Sequence, residues 1–121
     1  MIHDEIVGYD VAKLAKDKGF DVPTFGYYRI DTKDWYRTDV YDDWNDSTIR
    51  YSAPTQSLLQ RWLREEKGIH IIIDGGFQWG VEDLQRHFMD RDIQVEIGAF
   101  GLFDTYEEAL HDALLYSLQN V

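Results

Sequence analysis

The sequence predicts an α+β domain in which a mainly antiparallel sheet of about four to five strands packs against helices. Apolar residues recur on a 3.6-residue period in the stretches 9–18, 52–68 and 105–118. Alternating or β-branched runs lie between them, at 25–30, 35–40, 69–73, 77–82 and 93–97. Short turn signals join most of these runs, which favours antiparallel neighbours. The expected order is α-β-β-α-β-β-β-α in a single α+β domain spanning 1–121, a length that suits one domain.

Residues 1–6 read as a polar, loosely held lead-in. The first helix runs from Tyr9 to Lys18 with Val11, Leu14 and Ala15 as its apolar stripe. Gly8 is its N-cap, Asp10 suits the positive end of its dipole, and Gly19 ends it. Phe25 to Ile30 reads as a strand with Phe25 and Tyr27 on one face and Tyr28 and Ile30 on the other. The turn signal 31–34 leads to a return strand from Trp35 to Val40. Residues 41–51 read as a flexible, acid-rich loop.

The central helix occupies 52–68. Thr55, Leu58, Leu59, Trp62 and Leu63 form its stripe, while Gln56, Gln60, Arg61, Arg64 and Glu65 are assigned to water. Ser52 is a candidate N-cap, or Ala53 takes that place with Pro54 at the first helical position. Gly68 ends the helix. Ile69 to Ile73 is then a strand whose near-continuous apolar character suggests an interior place in the sheet. Asp74-Gly75-Gly76 is a hairpin turn signal, followed by a strand with Phe77, Trp79 and Val81 on its core face. An irregular connection over 83–92 leads to the strand Ile93–Ile97. The closing helix starts at Thr105, where Thr105 and Glu108 have capping-box spacing. Its expected buried stripe is Ala109, Leu110, Ala113, Leu114, Ser117 and Leu118.

The chain carries 23 acids and 12 bases, a formal net charge of −11. Residues 1–51 hold 11 acids and 7 bases, and residues 69–121 hold 10 acids and 2 bases. Such a balance argues against binding a nucleic-acid backbone. The longest apolar run, Ile71–Ile73, is too short to span a bilayer, and Met1 to Asp10 show no signal-peptide pattern. The expected setting is therefore the cytoplasm, away from membrane and nucleic acid. Cysteine is absent from the sequence, which excludes disulfides and thiolate chemistry.

Tyr51 to Glu65, followed by Gly68-Ile69-His70-Ile71, resembles the signature of a family of small uncharacterised α+β proteins of gut anaerobes and their phages and mobile elements. Val11 to Phe20 resembles that family's opening helix, and Phe103 to Leu110 its closing one. The resemblance implies an α+β fold and an accessory role in phages or mobile elements. It supplies no established activity and no catalytic residue.

The residues themselves point away from catalysis. His3, His70, His87 and His111 do not pair at metal-ligand spacing. Asp39, Asp42, Asp43 and Asp46 lack the ordered spacing of a calcium loop. No phosphate loop or nucleophile elbow occurs, and no cofactor is implied. Aromatics are the stronger signal, at 15% of residues. Trp35, Tyr36, Tyr41, Asp42, Asp43 and Trp44 form a candidate acidic-aromatic interaction surface. The reading is a non-enzymatic protein-interaction domain with a protein partner or a second copy of itself in a homodimer. One alternative is an acidic DNA mimic that inhibits a nucleic-acid-binding protein. Another is a small hydrolase using His70 or His87 with nearby carboxylates.

Overall fold

The computed structural model describes residues 5–73, 79–83, 95–97 and 103–121. The fold is α+β with antiparallel strands, as the sequence predicts. Among the described residues the strands form two three-stranded sheets instead of one, each in its own compact unit, Met1–Thr55 and Gln56–Val121.

In the first unit, α1 (Tyr9–Asp17) buries Val11, Ala12 and Ala15. It ends where Gly19 turns to φ +92°, which an L side chain resists. The turn then returns the Phe20 N–H to the Ala15 carbonyl at 2.9 Å, and the Phe20 side chain is buried. Residues 1–4 of the lead-in lie outside the described residues; after them Ile6 bridges Thr55, and the Val7 N–H donates to the Pro54 carbonyl at 3.0 Å.

Three strands follow: β1 (Thr24–Arg29), β2 (Trp35–Asp42) and β3 (Arg50–Ser52), in the spatial order β2-β1-β3. The β1/β2 register is regular from Tyr28↔Trp35 to Gly26↔Arg37, and then jumps to Thr24↔Asp42. Two steps on β1 thus match five on β2, so β2 carries an outward excursion over 38–41. Within it the Thr38 hydroxyl donates to the Val40 carbonyl at 2.7 Å and accepts the Val40 N–H at 3.1 Å.

The segment 41–51, read as a flexible loop, contains the end of β2, a single 3-10 turn over Trp44–Asp46, and β3. Long-range hydrogen bonds tie it down. Asn45 accepts the Ser52 N–H at 2.8 Å and donates through Nδ2 to the Phe20 carbonyl at 2.8 Å. Lys16 Nζ donates to the carbonyls of Ser47 and Arg50. Acidic composition therefore did not mean mobility here, because these polar groups have partners.

In the second unit, α2 (Gln56–Lys67) starts two or three residues later than the capping chemistry suggested. Ser52 belongs to β3, and Ala53 and Pro54 are buried ahead of the helix. Leu59, Trp62 and Leu63 face the core as expected, but so does Gln56, which is only 4% exposed. Its amide tolerates burial because Nε2 donates to the Glu107 carbonyl at 3.0 Å. Gly68 closes α2 at φ +70°.

The second sheet has the order β4-β5-β6, with β4 (Ile69–Ile73), β5 (Trp79–Asp83) and β6 (Val95–Ile97). Among the described residues β4 lies at its edge, not in its interior. Burial along β4 alternates, with Ile69 and Ile71 buried and His70 and Ile72 exposed. The apolar run thus concealed a two-sided strand. Trp79 and Val81 are buried as predicted. The readings at 74–78 and 84–94 lie outside the described residues. Against β4 and β5 packs α3 (Tyr106–Gln119), which also meets α2. Thr105 caps α3, its hydroxyl accepting the Glu108 N–H at 3.1 Å. Its buried stripe contains the six residues read from the sequence.

Candidate interaction face

The two faces of the first sheet differ. On one, Tyr28 and Tyr51 stand opposite each other across β1 and β3, and Tyr9 of α1 covers both. Its ring centre lies 5.7 Å from Tyr28, edge-on, and 5.5 Å from Tyr51. The Tyr28 hydroxyl donates to the Val7 carbonyl at 2.7 Å. Burial raises the pKa of Tyr28, with the Asp10 charge adding to the effect. Burial likewise raises that of Tyr51, followed by Tyr9 and Asp17.

The other face carries a run of rings. Phe25 and Tyr27 share it by alternation along β1. Tyr36 opposes Tyr27 and stacks on it at 5.6 Å, and Trp44 reaches Tyr27 at 5.0 Å. Arg50 lies over both, its guanidinium carbon 4.9 Å from the Tyr27 ring centre and 5.4 Å from that of Trp44. The odd number of extra residues in β2 swings Tyr41 onto this face, where it meets Phe25 at 4.6 Å. Phe25 is 55% exposed, Tyr41 54% and Tyr36 39%. Exposed rings in one patch are uncommon on a surface without a partner.

Of the six residues singled out in the sequence, the structure gathers Tyr36, Tyr41 and Trp44 on this face. Trp35, 44% exposed, stands opposite Tyr28 and so belongs to the other side. There it lies against Gly26: a Cβ at that position would come within 2.8 Å of the Trp35 indole nitrogen. Asp43 works locally, its carboxylate accepting the Asn45 N–H at 3.0 Å to cap the 3-10 turn. Asp42 is exposed and accepts the Asp43 N–H at 2.8 Å. Trp44 is anchored, its indole donating to the Thr24 carbonyl at 3.0 Å. Sequence reasoning missed Phe25, Tyr27 and Arg50 as members of the face. Alternation along β1 carried the signal for the first two.

The histidines offer less. His70 is exposed on β4 and pairs across the strands with Glu82. His111 lies on α3, while His3 and His87 fall outside the described residues. Among the described residues no three histidines or carboxylates converge in a way that could hold a metal ion. Among them, too, no helix is long and apolar enough to cross a membrane. Comparison of the chain with protein-family models, curated proteins and solved structures yields no match.

Proposed function

We propose that this chain is a non-enzymatic protein-interaction domain whose contact surface is the aromatic face of the first sheet. The observation that supports this reading is the exposed Phe25–Tyr41 pair, continuous through Phe25 and Tyr27 with the Tyr36–Tyr27–Trp44 stack. Rings of this kind bring large contact area at little conformational cost. The rigid supports behind them, Asn45, Ser52 and the Trp44 indole bond, keep the face organised before a partner arrives. The resemblance of 51–65 and its flanks to phage and mobile-element proteins supports an accessory role in that setting.

The test places a photo-crosslinking phenylalanine analogue at Tyr41 and, as a control, at the exposed Arg64 of α2. The expected result is a discrete cross-linked polypeptide from position 41 and none from position 64. A product of twice the chain mass would identify a homodimer as the complex. Equal labelling from both positions, or none from position 41, would overturn the reading.

A further inference from the structure

Arg50 shows what kind of group the aromatic face accepts. Its guanidinium already covers the inner rings, Tyr27 and Trp44. The outer pair, Phe25 and Tyr41, has the same ring chemistry and more exposure. Among the described residues no cationic side chain lies over either of these outer rings. Arg37 is on the same strand as Tyr41, but its register opposite Gly26 sends it to the other side of the sheet. Asp39, two residues before Tyr41 in the irregular stretch of β2, is exposed, whereas Asp42, opposite Thr24, turns to the same side as Arg37. A ring face attracts cations through its quadrupole, and neighbouring carboxylates supply countercharge.

We propose that the Phe25–Tyr41 pair, with Asp39 close by along β2, docks an arginine- or lysine-bearing segment of a partner polypeptide. The partner's cation repeats over the outer rings what Arg50 does over the inner ones. This names the partner chemistry of the interaction face proposed above, and rests on that reading. A second copy of the chain fits less well, since each copy has a net charge of −11 and would bring like charges together. A nucleic acid fits less well still, because its phosphates would meet Asp39 and the chain's negative charge.

The probe is a fluorescein-labelled alternating arginine–glycine dodecapeptide, followed by anisotropy against the full chain at low and moderate salt. A peptide with citrulline in place of arginine keeps the shape and removes the charge. The arginine peptide should bind and the citrulline peptide should not. Phe25→Ala combined with Tyr41→Ala should weaken binding about tenfold or more. Asp39→Asn should weaken it several-fold. Asp21→Asn removes the same charge from an exposed position elsewhere and should change it by less than about twofold. All three substitutions at the site are at exposed positions, and circular dichroism confirms that each variant is folded.

Failure of the arginine peptide to bind would overturn the inference. So would equal loss from the two acid substitutions, or full binding without the rings. A partner cross-linked through position 41, together with an inert arginine peptide, would overturn the basic-partner inference while leaving the interaction face in place. Absence of both would remove both.

Discussion

The Ser52 hydroxyl accepts the backbone N–H of Trp44 at 2.9 Å, holding the first residue of the 3-10 turn against β3. Ser52 is fully buried. Its hydroxyl serves the turn that precedes it, which Asp43 caps, and not the helix that follows. Ser52→Ala should therefore destabilise the fold by about 1–2 kcal/mol. Asn45→Ala loses an acceptor and a donor together and should cost about 2–3 kcal/mol. Urea denaturation followed by tryptophan fluorescence would measure both. A loss below about half a kcal/mol for Asn45→Ala would mean that the turn does not need these bonds.

Gly26 makes room for Trp35. A methyl group there would meet the indole nitrogen at 2.8 Å and the Tyr36 carbonyl at 3.2 Å. Gly26→Ala should displace the Trp35 ring, shift its fluorescence, and destabilise the chain by about 1–3 kcal/mol. In a Trp35→Ala background the same substitution should cost measurably less, because the ring that it strikes is gone. Equal costs in the two backgrounds would place the conflict at the Tyr36 carbonyl instead.

The tyrosines beneath α1 set an alkaline limit. Tyr28 and Tyr51 both have raised pKa values, so the folded state keeps their protons longer than the unfolded chain, which releases them near pH 10. The stability they contribute is fully present below that pH. It is lost as pH rises through their raised folded values. Denaturation midpoints should hold steady up to about pH 10 and fall above it, with phenolate absorbance rising as unfolding proceeds. Tyr28→Phe should lower the midpoint at neutral pH by about 1 kcal/mol, through loss of the bond to the Val7 carbonyl, and flatten the alkaline decline.

Trp79 offers a test in the second unit. Its buried indole donates to the Asp112 carboxylate at 2.8 Å and its ring meets Tyr116 at 5.0 Å. Trp79→Phe should cost about 1–3 kcal/mol, combining lost contact area with a carboxylate deprived of its donor. Adding Asp112→Asn should produce less than the summed effect, since the two residues share one interaction. Additive losses in thermal unfolding would show that the bond contributes little.

Local signals were legible and distant ones were not. Gly19 and Gly68 mark helix ends by residue type alone, and both take positive φ. Thr105 and the stripe of α3 followed from spacing within one helix. What was missed depends on partners far along the chain. Asn45 reaches Phe20 25 residues away, and Gln56 reaches Glu107 51 residues away. No window centred on Asn45 could show that an acidic stretch is fastened, and nothing near Gln56 announces a buried amide. The candidate face was half legible for a related reason. Aromatic composition identified the region, but the extra residues in β2 decide which rings share a side. Tyr41 joins Phe25 through that irregularity, while Trp35 falls on the opposite face.

The excursion in β2 has a second consequence. An open aromatic face beside an edge strand is the arrangement that invites chains to add strand by strand into fibres. Such growth needs free backbone groups at regular intervals along the edge. Over 38–41 the spacing is broken, and the Thr38 hydroxyl takes both the N–H and the carbonyl of Val40. Side chains can still be gripped by the rings, while an incoming backbone finds this stretch of edge closed. The recognition proposed for these rings and the polymerisation that they would otherwise invite are thereby held apart along this stretch of β2.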